Sequence, residues 1–168
     1  LFETTCNDAA LDRMTFPVAV SDLDLSKVLL AQRFGVEQGV KDDGSVKIRC
    51  IDDETRAGVN PCTQPSEKLK LDGIDSLFHV VKWFVSVFGV APHLFKADVD
   101  AAYRRIPVAP EHRWAMYVVF PHQGVPVVSG HLSAPFGASA SVHAWDRVGA
   151  LLCYLGRTLL KLPLLRYV

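Results

Sequence analysis

Apolar positions along the chain change their period several times, and each change predicts an element. Phe34–Val40 and Val46–Asp52 flank Lys41-Asp42-Asp43-Gly44. Asp-Gly is a strong hairpin turn pair, so this spacing predicts two antiparallel strands. On the second strand Val46, Ile48 and Cys50 share one face, and Lys47 and Arg49 share the other. Residues 72–88 repeat at three and four, with Ile74, Leu77, Phe78, Val81, Phe84 and Phe88 on one helical face, and Gly89 and Pro92 as stop signals. Leu94–Val99 reads as a buried strand ending in acidic residues, and Ala101–Arg105 as one or two helical turns stopped by Pro107. Trp114–Phe120 and Val125–Leu132 predict a second hairpin around Pro121–Gly124. Ser139–Lys161 predicts a long helix with Val142, Trp145, Val148, Leu152, Leu155 and Leu159 on one side and His143, Arg147, Tyr154, Arg157 and Lys161 on the other. Leu164–Val168 begins a further strand, and Asp22–Arg33 a short helix, while residues 1–20 show no clear period and 54–71 read as loop. Helices and strands mix without regular βαβ alternation, which favours an α+β fold.

Composition narrows the class. The chain has 168 residues, 49% hydrophobic and 21% charged, so it is an ordinary globular domain or a piece of a larger one and not a disordered chain. Lys+Arg and Asp+Glu are equal at 18 each. The halves differ, however: residues 1–100 carry 11 basic and 16 acidic residues, and 101–168 carry 7 and 2. That asymmetry points to a polyanion site in the second half. Cys6, Cys50, Cys62 and Cys153 have no C-x-x-C spacing and read as reduced thiols of an intracellular protein, nuclear or cytoplasmic. The histidines fit no zinc pattern. No uninterrupted apolar run is long enough to span a membrane, and no signal peptide precedes the domain. The absence of an initial Met and the stop at Tyr167-Val168 lead us to expect a fragment at both ends.

Chemistry concentrates in Phe95-Lys96-Ala97-Asp98-Val99-Asp100-Ala101-Ala102-Tyr103-Arg104-Arg105-Ile106-Pro107. A strand that ends in Asp and turns at once into a helix sets a carboxylate at a sheet edge, where divalent cations are held in phosphoryl-transfer sites. Alone, such an Asp is as readily a solvated turn or cap. Three other segments accompany it. Ala134-Pro135-Phe136-Gly137-Ala138-Ser139 runs into a helix carrying Trp145-Asp146-Arg147. Lys47-x-Arg49 is followed by Asp53, Arg56 and Asn60. Leu164-Leu165-Arg166-Tyr167-Val168 closes the chain.

In order and spacing, over about residues 34–168, these four segments resemble the reverse transcriptases of retroelements. The family's first palm motif is Asp98 with Tyr103 and Ile106-Pro107. Its Pro-Phe-Gly-x-Ser motif is Pro135–Ser139, and its fingers strand is Lys47-x-Arg49. The last segment resembles the strand leading into Tyr-x-Asp-Asp and stops before the aspartates. The chain departs from the family at Ala140-Ser141-Val142, where Asn-Ala-Pro is usual, at Trp145, where Phe is usual, and in two extra residues between Arg49 and Asn60.

The resemblance implies a partial right-hand polymerase fold: fingers over about 1–64 and 106–139, an incomplete palm over 65–105 and 140–168, and no thumb. It implies an RNA-directed DNA polymerase, a nucleotidyltransferase acting on an RNA or DNA template, a DNA primer and deoxynucleoside triphosphates with Mg²⁺ or Mn²⁺. Asp98 is then the catalytic carboxylate and metal ligand, and Val99 lends its carbonyl. Lys47 and Arg49 straddle the triphosphate. Tyr103 lies beneath the deoxyribose and excludes a 2′-hydroxyl, Phe136 touches the sugar, and Gly137 allows a close approach. Arg147, Arg157 and Lys161 line a helix face toward duplex phosphates. Because the paired aspartates lie past Val168, the 168 residues alone are expected to be inactive. The competing expectation is a decayed or domesticated, non-catalytic retroelement remnant with at most weak nucleic-acid binding. The sequence leaves the element type and the oligomeric state open.

Overall fold

The computed structural model describes residues 1–40 and 42–166. The elements in order are α1 (Phe2–Ala10), β1 (Val18–Ala19), β2 (Leu30–Val40), β3 (Val46–Asp52), α2 (Val59–Cys62), α3 (Ile74–Phe88), β4 (Tyr117–His122), β5 (Val125–Gly130) and α4 (Ser139–Leu159), with short 3₁₀ turns between them. The fold is α+β. Its five strands form one mixed sheet in the order β1-β5-β4-β2-β3. Two antiparallel hairpins, β2–β3 and β4–β5, are joined edge to edge by a parallel pairing of Leu30–Gln32 with Tyr117–Val119. The chain divides into two compact units, Leu1–Gln64 with Ala101–Ser141, and Pro65–Asp100 with the chain from Val142 onward.

The hairpins form where turn chemistry dictates. At the tip of β4–β5, Gln123 (φ 51°) and Gly124 (φ 79°) make a two-residue turn of the primed kind, whose twist matches the strands. At the tip of β2–β3, Asp43 accepts from the backbone and hydroxyl of Ser45, and Gly44 takes a left-handed φ of 79°. A bulge between Glu37 and Val40 absorbs the odd residue. The inward faces of β2, β4 and β5 supply Ala31, Val118, Phe120 and Val127 to the core, and Met14, ahead of β1, completes it, with Leu1, Phe2 and Ala57 packed against it.

Four expectations from the pattern need correction. Residues 2–10 are helical although they show no apolar period, because α1 turns Thr5 and Ala9 inward and is tied down by Asp8 and by Phe2, which stacks on His122 at 3.7 Å. The segment Asp22–Arg33 is not a helix. Two 3₁₀ turns (Val20–Asp22 and Leu25–Lys27) lead into β2, because Leu29 donates to the Trp114 carbonyl and Leu30–Gln32 pair with β4. Leu94–Val99 is irregular and exposed, and Leu164–Arg166 is irregular too. A strand needs a ladder partner, and the described residues of the second unit contain none. Tyr167 and Val168, the rest of the expected last strand, lie outside the described residues. Finally, α4 ends at Leu159, so Lys161 is not on its face. Lys161 has φ 55°, and Pro163 disfavours helix at Leu162.

The second unit packs differently from its pattern. No residue of α3 is fully buried, and Ile74, Phe78 and Phe88 on its apolar face are exposed. Along α4 the buried positions in this unit are Gly149 and Gly156, not the large apolar ones. A Cβ at Gly156 would collide with Leu164, and one at Gly149 would stand 3.0 Å from Arg166, so the returning chain crosses α4 where side chains are missing. All buried hydrophobic residues among those described belong to the first unit. Local stability follows burial. Amide exchange followed by mass spectrometry should therefore be slowest at Val118, Phe120 and Val128 and much faster along α3. Equal protection in α3 would contradict this packing.

No helix among the described residues is long and apolar enough to cross a membrane.

Candidate functional site

Beneath the first unit's surface lies a charged network. Arg33 at the base of β2 donates to both oxygens of Asp52 at the end of β3, at 2.7 and 2.9 Å. Its third nitrogen reaches the Thr5 hydroxyl at 2.7 Å. His131 lies 3.0 Å from Asp52 through Nε2, and Arg104 donates to its Nδ1 at 2.6 Å. Arg104 continues to Asp8 at 2.9 Å. The guanidinium cannot accept, so Nδ1 must carry the lone pair and Nε2 the proton that goes to Asp52. Burial, with the charges of Arg104 and Arg33, overcomes the pull of Asp52 and lowers the His131 pKa to about 4, so the ring is neutral. Burial alone would raise the Asp52 pKa, yet the hydrogen bonds from Arg33 and His131 and the Arg33 charge hold it well below the ordinary value. Counting from the turn would not have found this pairing: with Val40 opposite Val46, an unbroken ladder sets Arg33 opposite Asp53, and the bulge moves it to Asp52.

Glu54 is the odd member. It is buried, and neither carboxyl oxygen has a hydrogen-bond partner among the described residues. Burial first, then the neighbouring charges of Asp52 and Asp53 against that of Arg33, raise its pKa from 4.5 to about 7. Ligand atoms of Asp52, Glu54 and His131 lie within 4.8 Å of one another, a spacing that could hold a metal ion. Two of the three are engaged within the protein. His131 accepts from Arg104 at Nδ1 and faces Asp52 through Nε2, and Asp52 is held by Arg33 on both oxygens, which leaves Glu54 as the unengaged carboxyl. Its raised pKa favours the protonated form.

On the surface above this network, residues from three distant segments meet. The Phe136 ring lies 5.1 Å from the Tyr103 ring, tilted by 54°, and the Arg49 guanidinium stands 5.8 Å from the Phe136 centroid. Tyr103 is half-buried, which raises its pKa by desolvation, while Phe136 and Arg49 remain accessible. Lys47 is exposed two residues from Arg49 on β3. Gly137 (φ 100°) folds the turn against β3, and a Cβ there would come within 2.8 Å of the Asp52 carbonyl. The close approach that this glycine permits is thus to the chain's own backbone. Asn60 ties the same turn down: its amide donates to the Gly137 carbonyl at 2.9 Å and accepts from the Ser139 N–H at 2.8 Å. The arrangement offers a cation beside two aromatic rings, suited to a ligand with an anionic end and a flat or ring-shaped body.

The remaining sequence-derived site residues lie in the second unit. Asp98 and Val99 are exposed on the irregular segment. Among the described residues no group of three potential ligands includes Asp98. Arg147 pairs with Glu67 at 2.6 Å, and Arg157 with Asp72 and the Leu164 carbonyl. Both side chains are therefore engaged within their own unit, and Lys161 is exposed beyond the helix.

No protein-family model matches this chain, and no curated protein matches it.

Two predictions follow from the buried network. Removing one partner of a buried ion pair leaves the other charge uncompensated, at about 3–5 kcal/mol. Arg33→Met should lose stability on that scale in urea unfolding, and Arg33→Met with Asp52→Leu should lose less than the two single losses combined. Glu54 binds its proton more tightly folded than unfolded. Its contribution is therefore complete below about pH 4.5, falls as pH rises toward 7, and amounts to about 3 kcal/mol lost above that. Glu54→Gln should be comparable to the parent near pH 4.5 and clearly more stable at pH 8. A stability difference that does not change with pH would show that Glu54 does not hold this proton.

Proposed function

We propose that this chain contributes the fingers and part of the palm of an RNA-directed DNA polymerase, and that its first unit receives a deoxynucleoside triphosphate. The observation that carries the reading is the meeting of Arg49, Phe136 and Tyr103. These are the residues that the family resemblance assigns to triphosphate, sugar and 2′ position. They come from β3, the turn before α4 and the turn at Ala102–Arg105. Chance adjacency of three side chains so far apart in sequence is a weak rival.

In this reading Arg49 grips phosphate oxygens in bidentate fashion, and Lys47 adds a point charge on the same strand face. Phe136 lies against the sugar, and Tyr103 behind it leaves no room for a 2′-hydroxyl. Asp98 is the proposed catalytic carboxylate, acting on a DNA primer over an RNA or DNA template. A second reading, a non-catalytic remnant, draws on Asp98 itself, which is exposed, outside any strand and, among the described residues, in no group of three potential ligands.

The test compares dATP with ATP, which differ only at the 2′ position, in equilibrium dialysis against the 168-residue chain. The proposal expects saturable binding that favours dATP. Charge-assisted hydrogen bonds contribute about 1.5–3 kcal/mol, so Arg49→Ala should weaken dATP roughly tenfold or more. Tyr103→Ala should bring ATP and dATP together, because the steric block is gone. No saturable dATP binding, or no preference over ATP, would sink the proposal in favour of the remnant.

A further inference from the structure

We infer that Asn60 is a positioning residue of this site: it clasps the Phe136–Ser139 turn to the end of the β2–β3 hairpin and so holds the Phe136 ring between Arg49 and Tyr103. The inference rests on the nucleotide-site reading for its functional consequence, and on hydrogen bonds alone for its structural one.

The loop after β3 does not need the clasp for its own shape. Asp53 donates from its backbone to the Gln32 carbonyl, and its side chain accepts from Arg56 N–H at 2.9 Å. The Asn60 backbone donates to the Glu54 carbonyl at 3.1 Å. With its main chain fixed, Asn60 points its amide at a turn 79 residues further on. A primary amide carries a donor and an acceptor side by side. Asn60 uses both on one turn, giving a hydrogen to Gly137 O at 2.9 Å and accepting one from Ser139 N at 2.8 Å, while its second hydrogen reaches the Thr55 hydroxyl at 3.0 Å. Ser139 is the first residue of α4, so its N–H has no partner within the helix, and Asn60 caps it from a distant segment.

Phe136 depends on this turn. Phe136 is more than a third exposed, and its two neighbours, Tyr103 and Arg49, make only a tilted ring contact and a cation–π contact, each weak at a wet surface. Pro135 before it is buried, and Gly137 after it is held against Asp52 O in a conformation few residues adopt. The clasp joins these two ends of the argument: one side fixes Gly137, the other fixes Ser139, and the ring projects from the residue next to the fixed point. Asn60 takes no part in the buried Arg33–Asp52–His131 network and contributes nothing to the strand ladders. Its loss should free the ring and leave the sheet intact.

The test uses the 168-residue chain and two readouts: the nuclear Overhauser contact between the Tyr103 and Phe136 rings, and dATP affinity by equilibrium dialysis. Asn60→Ala should lose the ring contact and bind dATP about tenfold more weakly, with the exchange protection of β4 and β5 unchanged. Asn60→Asp carries a built-in reversal. At pH 7.5 its carboxylate still accepts from Ser139 but repels Gly137 O, and at pH 3, below the ordinary Asp pKa of about 3.9, its protonated form donates again. Both readouts, taken relative to the parent at the same pH, should fail at pH 7.5 and recover at pH 3. If Asn60→Ala does not fold, this pH reversal decides. A ring contact that survives in Asn60→Ala, or an Asn60→Asp variant indifferent to pH, would overturn the inference. A parent chain that shows the ring contact and its Asn60 dependence but does not bind dATP keeps the clasp and removes the nucleotide reading. A parent that binds dATP with Asn60 variants that bind equally well does the reverse.

Discussion

The constraint on which the rest of the first unit depends is a guanidinium buried with its carboxylate. Arg33 cannot lose its charge, and water does not reach it, so everything around it must supply oxygen or a lone pair. Asp52 supplies both oxygens, and Thr5 brings α1 to the third nitrogen. Asp52 in turn fixes the proton on one nitrogen of His131, which leaves the other free to accept from Arg104, and Arg104 finishes at Asp8. One charge thereby dictates the docking of a helix, the tautomer of an imidazole and the position of the turn that carries Tyr103. Burial first, and then the negative charge of Asp52, raise the pKa of the neighbouring Glu54.

The end of β3 serves two layers at once. The Asp52 side chain turns inward to Arg33, and its carbonyl forms the floor on which Gly137 rests. The surface cluster of Arg49, Phe136 and Tyr103 is accordingly built on the rim of the buried network and not on a mobile loop. Arg49 is three residues before Asp52 on the strand, Phe136 is next to Gly137, and Tyr103 is next to Arg104. Each exposed residue has a near neighbour in sequence that is pinned below.

Much of this was legible in the sequence, for reasons that also explain what was not. Asp43-Gly44 and Gly124 declare their hairpins because left-handed backbone is costly for other residues, and α3 and α4 declare themselves by period. Arg49, Tyr103 and Phe136 could be named as candidates, but only the fold brings them together. α1 escaped notice because its inward face is Thr5, Asp8 and Ala9, which satisfy charge and fit a small space without repeating as apolar positions. Arg33, Arg104 and Glu54 read as surface residues, since a charge is buried only when distant partners exist and a one-dimensional pattern does not show them. The strand expected at Leu94–Val99 failed for the opposite reason: its residues suit a sheet, but propensity forms no ladder without a neighbour. Asn60 stood in a recognised motif, yet its clasp on Gly137 and Ser139 emerged only from geometry.

The chain of contacts from Asp8 through Arg104, His131 and Asp52 to Arg33 also governs which substitutions this domain tolerates. Its members come from α1, the turn before Ile106, the end of β5 and the two strands of the first hairpin. A change at any charged member leaves its partner's charge uncompensated, so a single substitution there costs more than a matched pair of substitutions. Surface positions such as Lys47 are not tied into this chain of contacts. Substitution should therefore be tolerated least where these five side chains meet, three of them buried.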